Sequence, residues 1–159
     1  MSKKMKTDLT YALIGCGRIS AKHIRAVQKK GSGLAIKAIV DQNIDAPAAL
    51  LHSIGMSKKK MKAFFSHVKI YTDYQTMLDE IHPEVVAITV PSGLHYQIGK
   101  AALLSGSHIL LEKPMTMRLF EAKELAELSE TTGCKIAMGH IDRYLPIVGN
   151  LQKDIASGV

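Results

Sequence analysis

A chain of 159 residues, 47% of them hydrophobic, suits one domain that buries roughly 70% of the surface its unfolded form exposes. Two isolated cysteines, seven scattered histidines and apolar runs no longer than a strand argue against a disulfide framework, a metal site, a signal-peptide core or a membrane span, and point to a reduced cytoplasmic protein. The formal charge of +7 draws on Lys3, Lys4 and Lys6 and on Lys58, Lys59, Lys60 and Lys62, but with 5% aromatics and no recognition motif beside them these lysines read as a solvated face, not a nucleic-acid surface.

Leu9 to Ile14 is rich in strand formers and runs straight into glycine, the pattern of a buried parallel strand. A helix follows from Ile19, with Ile24, Ala26 and Val27 near helical spacing and Lys29-Lys30-Gly31 at its end. Leu34 to Val40 is a second strand, closed by Asp41. Ala46 to Gly55 is helical with Pro47 in its first turn, and Lys58 to Phe65 makes a more exposed turn or helix. Lys69 to Tyr71 is a short strand, Tyr74 to Ile81 a short helix, and Val85 to Val90 an apolar strand stopped by Pro91. Leu94 to Ser105 is a helix that buries Ile98, Ala101, Ala102 and Leu103 and ends at Gly106; His108 to Leu111 is the fifth strand. Thr116 is placed to cap a helix over Arg118 to Thr132, in which Leu119, Ala122, Leu125, Ala126 and Leu128 keep the 3.6-residue period. Lys135 to Met138 is the sixth strand and Pro146 to Ala156 a last helix. Strands alternating with helices call for a parallel sheet covered on both faces, so the fold class is α/β, a doubly wound parallel sheet of about six strands.

The turn Gly15-Cys16-Gly17-Arg18-Ile19-Ser20 joins the first strand to the first helix. Gly15 serves a tight turn, Gly17 lets the backbone approach a pyrophosphate, and the helix start aims unpaired N–H groups at the phosphates. Ser20 stands where the third small residue of a dinucleotide fingerprint belongs. Asp41, at the end of the second strand, is the acid expected about 20 residues on, where its carboxylate can accept from ribose hydroxyls and repel a 2'-phosphate. With Gln42 and Asn43 following it and no arginine alongside, the expected cofactor is NAD, with NADP less favoured.

Pro91-Ser92-Gly93-Leu94-His95 follows the fourth strand and Glu112-Lys113-Pro114 the fifth, both on the sheet edge where a doubly wound fold binds its ligand. By spacing alone, Lys113 reads as either a site residue or a solvent-facing loop lysine. Gly15-Cys16-Gly17-Arg18-Ile19 with His23, Pro91 with His95, and Glu112-Lys113-Pro114 together resemble the glucose-fructose oxidoreductase, inositol dehydrogenase and rhizopine-catabolism (Gfo/Idh/MocA) family, over nearly the whole chain from Tyr11. Gly139-His140-Ile141-Asp142-Arg143-Tyr144 with Pro146 looks like the segment by which that family leaves its sixth strand.

The resemblance implies a Rossmann cofactor domain. Gly15, Gly17, Arg18, Ile19, Asp41, Pro91, Ser92, His95, Glu112 and Lys113 would line the cofactor, with Glu112 on the nicotinamide ribose and a cis peptide before Pro114. Lys113 would be the catalytic residue beside the nicotinamide and the reacting carbon of a sugar-like substrate, and Arg143 would help to shape the substrate pocket. The implied reaction is hydride transfer between an alcohol carbon and nicotinamide. His23 stays open between a part in that motif and a packed or capping-region histidine.

The domain boundaries expected are a basic tail over 1–8, a dinucleotide-binding domain over 9–145, and the start of a linking helix over 146–159. The family's second α/β domain, which carries a catalytic histidine and usually the oligomer interface, is absent from this chain, so the fragment itself is expected to be inactive. The enzyme is expected to act on a sugar, inositol or nucleotide sugar and to form a homo-oligomer through that domain. Two other readings are a non-catalytic NAD-sensing module, which has no use for Lys113, and a short reductase with a Tyr-x-x-x-Lys pair. Tyr96 and Lys100 match the latter spacing, which reads as coincidence.

Overall fold

The computed structural model describes residues 8–158, so the expected basic tail lies, apart from Asp8, outside the described residues, as does Val159. Six strands, β1 (Leu9–Ile14), β2 (Leu34–Val40), β3 (Lys69–Tyr71), β4 (Val85–Ile88), β5 (His108–Leu111) and β6 (Ile136–Met138), form one parallel sheet in the order β3-β2-β1-β4-β5-β6. The crossovers carry α1 (Ser20–Val27), α2 (Ala46–Ser53), α3 (Lys58–Phe65), α4 (Tyr74–Ile81), α5 (His95–Leu104) and α6 (Leu119–Thr132), and α7 (Pro146–Ser157) ends the described chain.

The two-residue period of β1 divides the core. Ala12 and Ile14 face Met77 and Leu78 of α4, Ile98, Ala102 and Leu103 of α5, and Leu125 of α6. Tyr11 and Leu13 face Ile24 and Val27 of α1, Leu50 and Leu51 of α2, and Phe64 of α3. Each face of the central strand is therefore covered by three helices, as a strand apolar on both sides requires. Tyr11 is fully buried there, and among the described residues its hydroxyl has no hydrogen-bond partner. Tyr11→Phe is accordingly expected to raise stability by about 1 kcal/mol, since it removes an unpaired buried polar group without changing shape. A thermal melt checks this, and a loss of stability would show that the hydroxyl is satisfied.

Three local expectations need correction. The fourth strand stops at Ile88, two residues early, because Thr89 turns its hydroxyl back onto the carbonyls of Ile14 and Gly15. The fifth helix begins at His95, behind a 3-10 turn at Ser92–Leu94. Thr116 does not cap α6: its hydroxyl donates to the Arg118 carbonyl, and no side chain caps that helix. Although α6 keeps its apolar period, only Leu125 is buried and Leu119 is 73% exposed. The helix covers the margin of the sheet, where a three-residue β6 offers little surface.

The strand ends are level across the sheet. Tyr71, Val40, Ile14, Ile88, Leu111 and Met138 are register partners in turn, each the last residue of its strand. The next residues, Thr72, Asp41, Gly15, Thr89, Glu112 and Gly139, therefore make one row along the C-terminal rim.

Candidate functional site

The middle of this row is the glycine turn. Gly15 has φ +95°, and a Cβ there would lie 2.9 Å from the carbonyl carbon and oxygen of Thr89 and 3.0 Å from Cγ1 of Val90. Only glycine fits, because the conformation and the space both refuse a side chain. Gly17 and Arg18 are exposed at the mouth of the turn, and Ser20, where a third small residue was expected, is buried with its hydroxyl bonded to the Gly17 carbonyl. No side chain caps the start of α1 at Ile19, although the Ser20 and Lys22 N–H groups donate to the Gly17 and Ile19 carbonyls.

Asp41 ties the next strand end to the turn. Its Oδ2 accepts from the Cys16 N–H at 2.8 Å and its Oδ1 from the Asn43 N–H at 2.9 Å, so one carboxylate both closes its own loop and orients the glycine turn. Burial pushes the Cys16 thiol up to about 12, with the charge of Asp41 and a hydrogen bond to it adding to the shift. Cys16 therefore stays a neutral thiol at physiological pH and brings no second negative charge to the turn. Ile14 to Gly17, Val40 to Gln42, Thr72 to Tyr74, Thr89 to Pro91, Leu94, Gln97 and Ile98 enclose a cavity of about 490 Å³. Pro91 is in this wall and Ser92 is not. Asp73 stands in the same wall, its carboxyl held below the usual range by the backbone N–H and the hydroxyl of Thr76.

The other half of the rim is built around Glu112 and Lys113. Glu112 is buried, and its Oε1 lies 2.9 Å from Nε2 of His23 on α1. Lys113 is exposed, and the peptide bond between it and Pro114 is cis. His95 is buried with Nδ1 2.8 Å from the Pro114 carbonyl and Nε2 3.0 Å from the Val90 carbonyl. Both ring nitrogens are thus engaged by main chain, and this histidine braces the loop after β4 against the loop after β5.

A cavity of about 370 Å³ is lined by Arg18, Ile19, Lys22, Thr89, Val90, His95, Glu112 and Lys113. A further one of about 510 Å³ is lined by Ile19, Glu112, Lys113 and the run from Gly139 to Arg143. Thr89 and Val90 belong to both the first and second cavities, and Ile19, Glu112 and Lys113 to both the second and third. The three make one trough along the rim, with Asp41 at one end and Arg143 at the other.

Two residues of this row have no motif to announce them: Thr72, and Thr89, whose hydroxyl holds the back of the glycine turn. They emerge once the strand ends are placed in register. Tyr96 and Lys100 lie elsewhere: Lys100 pairs with Glu124 of α6 at 2.5 Å and the Tyr96 hydroxyl donates to the same carboxylate at 2.6 Å, an interhelical tie away from the rim.

The cradle fits a dinucleotide on its own terms. A turn that admits no Cβ, an uncapped helix start and an acid one strand over are what a pyrophosphate and its neighbouring ribose need. The family model described as "Oxidoreductase family, NAD-binding Rossmann fold" matches residues 9–140. An uncharacterised oxidoreductase of Schizosaccharomyces pombe is 39% identical over 88 residues, 55% of this chain and 24% of its own length. D-glucoside 3-dehydrogenase of Escherichia coli is 25% identical over 158 residues, 99% of this chain and 42% of its own length. The WlbA dehydrogenase of Bordetella pertussis, solved with NADH and UDP-GlcNAcA, superposes with a TM-score of 0.80 at 24% identity, covering 95% of this chain and 42% of that one. The chain thus spans less than half the length of each of these relatives. Because the family match takes in the whole sheet and every residue of the rim row, this chain belongs to the Gfo/Idh/MocA oxidoreductase family and carries its NAD-binding Rossmann fold.

Proposed function

We propose that this chain is the cofactor-binding part of a dehydrogenase that moves a hydride between a sugar-like alcohol and NAD. The observation that carries the proposal is the row of three adjoining cavities with shared walls, from Asp41 past the glycine turn to Lys113 and Arg143. A module that only sensed NAD would need the first two of these features and gain nothing from the others.

When bound, NAD supplies the hydride acceptor. The chain's residues divide the remaining work. Gly15, Gly17 and the start of α1 hold the pyrophosphate, with Arg18 and Ile19 at its edge, and Asp41 accepts from the adenosine ribose. Pro91 and His95 shape the middle of the trough, and Glu112 takes the nicotinamide ribose. Lys113, which lines both cavities next to Glu112, is the group that would take the carbinol proton or, as an ammonium, stabilise the alkoxide. Arg143 faces the outer cavity that a substrate would enter. The domain then covers 9–145, and α7 leads toward a second domain that completes the substrate site and the homo-oligomer, in a cytoplasmic enzyme. Among the described residues no helix is long and apolar enough to cross a membrane. A relative that is a D-glucoside 3-dehydrogenase, and one solved with UDP-GlcNAcA, support a sugar-like alcohol.

Calorimetric titration tests the cofactor half. NAD is expected to bind at least about tenfold tighter than NADP, because the carboxylates of Asp41 and Asp73 in one wall repel a 2'-phosphate. Folded protein that binds neither, or that prefers NADP, would overturn the reading.

A further inference from the structure

His23 and Glu112 are 89 residues apart in sequence, on α1 and at the end of β5, yet they meet at 2.9 Å with each side chain only 10% exposed. A carboxylate oxygen only accepts, so Nε2 of His23 is the donor. On its other side the carboxyl group rests against the β6 exit: a Cβ at Gly139 would lie 3.0 Å from the carboxyl carbon and from both oxygens. The Glu112 side chain is thus caught between a donor on α1 and a backbone that is glycine where any side chain would push it away. His23 also lies one turn into the helix whose start borders the glycine turn. Whatever Glu112 holds is therefore held in register with whatever that helix start holds.

We infer that His23 is a positioning residue for Glu112: it fixes one carboxylate oxygen so that the other is presented to the ribose on the nicotinamide side of the dinucleotide. This rests on the reading above, in which Glu112 takes that ribose. A histidine that served only to pack α1 on the sheet would influence the whole nucleotide site alike, whereas a positioning histidine acts on one ribose.

ADP and ADP-ribose differ by the sugar in question, so the 159-residue chain can be titrated with each by calorimetry, alongside NAD. The parent is expected to bind ADP-ribose more tightly than ADP. His23→Ala is expected to weaken ADP-ribose and NAD by about tenfold while ADP stays within about twofold, the loss of one hydrogen bond to a charged group. His23→Gln, whose amide nitrogen reaches about as far as Nε2, is expected to recover most of that loss, which a purely steric role would not predict. In a Glu112→Ala background, His23→Ala is expected to add nothing. The inference is overturned if His23→Ala leaves ADP-ribose unchanged, weakens ADP to the same degree, or is not rescued by glutamine. A parent that binds ADP and ADP-ribose equally overturns the ribose role of Glu112, and a parent that binds none of the three overturns the cofactor reading itself.

Discussion

Replacing Lys113 with alanine is expected to lower turnover of the assembled dehydrogenase by about a thousandfold or more and to leave NAD affinity within about threefold of the parent. Lys113 is exposed on the rim, and among the described residues its ammonium enters no ion pair, so its removal leaves the fold intact. It lines two adjoining cavities and does not line the one beside Asp41, so the loss should fall on kcat rather than on cofactor binding. Lys113→Arg separates its two possible duties. A guanidinium keeps the charge but does not accept a proton, so an arginine variant as inactive as the alanine variant identifies Lys113 as the base. Partial activity in the arginine variant identifies electrostatic stabilisation. Steady-state rates with calorimetry on the same variants decide it, and near-normal turnover in Lys113→Ala would sink the catalytic role altogether.

Gly15→Ala and Gly17→Ala should behave as opposites although only one residue separates them. At Gly15 an alanine meets the Thr89 backbone at 2.9 Å with φ at +95°, and the atoms it strikes belong to β4's exit, which cannot swing aside. The cost is expected to be about 2–4 kcal/mol, a large share of a typical domain's stability, seen as a lower urea midpoint with an unchanged slope. At Gly17 the added Cβ meets only the Thr89 carbonyl oxygen at 3.8 Å, an ordinary contact, so stability should change by less than about 1 kcal/mol. The Gly17 variant should instead lose NAD affinity, by about tenfold or more, because the new methyl stands where the backbone is exposed to the ligand. Equal stability in the two variants would contradict the geometry of the turn.

Much of the fold is legible in the sequence because the punctuation is local. β2 starts and ends where its apolar run does, and α3 begins behind Ser57, whose hydroxyl accepts from the Lys60 N–H. The strand order is not legible, since parallel pairing joins segments tens of residues apart and nothing in β1 names β2 and β4 as its neighbours. The apolar run extends through Val90, two residues past the end of β4, while the hydroxyl of Thr89 answers to carbonyls of Ile14 and Gly15 at the end of β1. The site divides in the same way. Gly15, Asp41, Glu112 and Lys113 have chemistries that stand out at a strand end, whereas Thr89 matters only through what lies opposite it. His23 is ambiguous in sequence for the same reason: its partner, Glu112, lies just past β5, 89 residues away.

The Thr89 bonds to the glycine turn also bear on how the protein is made. The turn and its back wall are 74 residues apart in the chain, so a nascent polypeptide that has released β1, α1 and β2 carries the fingerprint but not the cradle. Cofactor present during synthesis has nothing complete to grip until β4 has docked beside β1. From then on its binding energy favours the finished sheet over every partly assembled one. Early segments must reach that stage on their own packing, and the nucleotide acts as a late arbiter of correctly ordered chains.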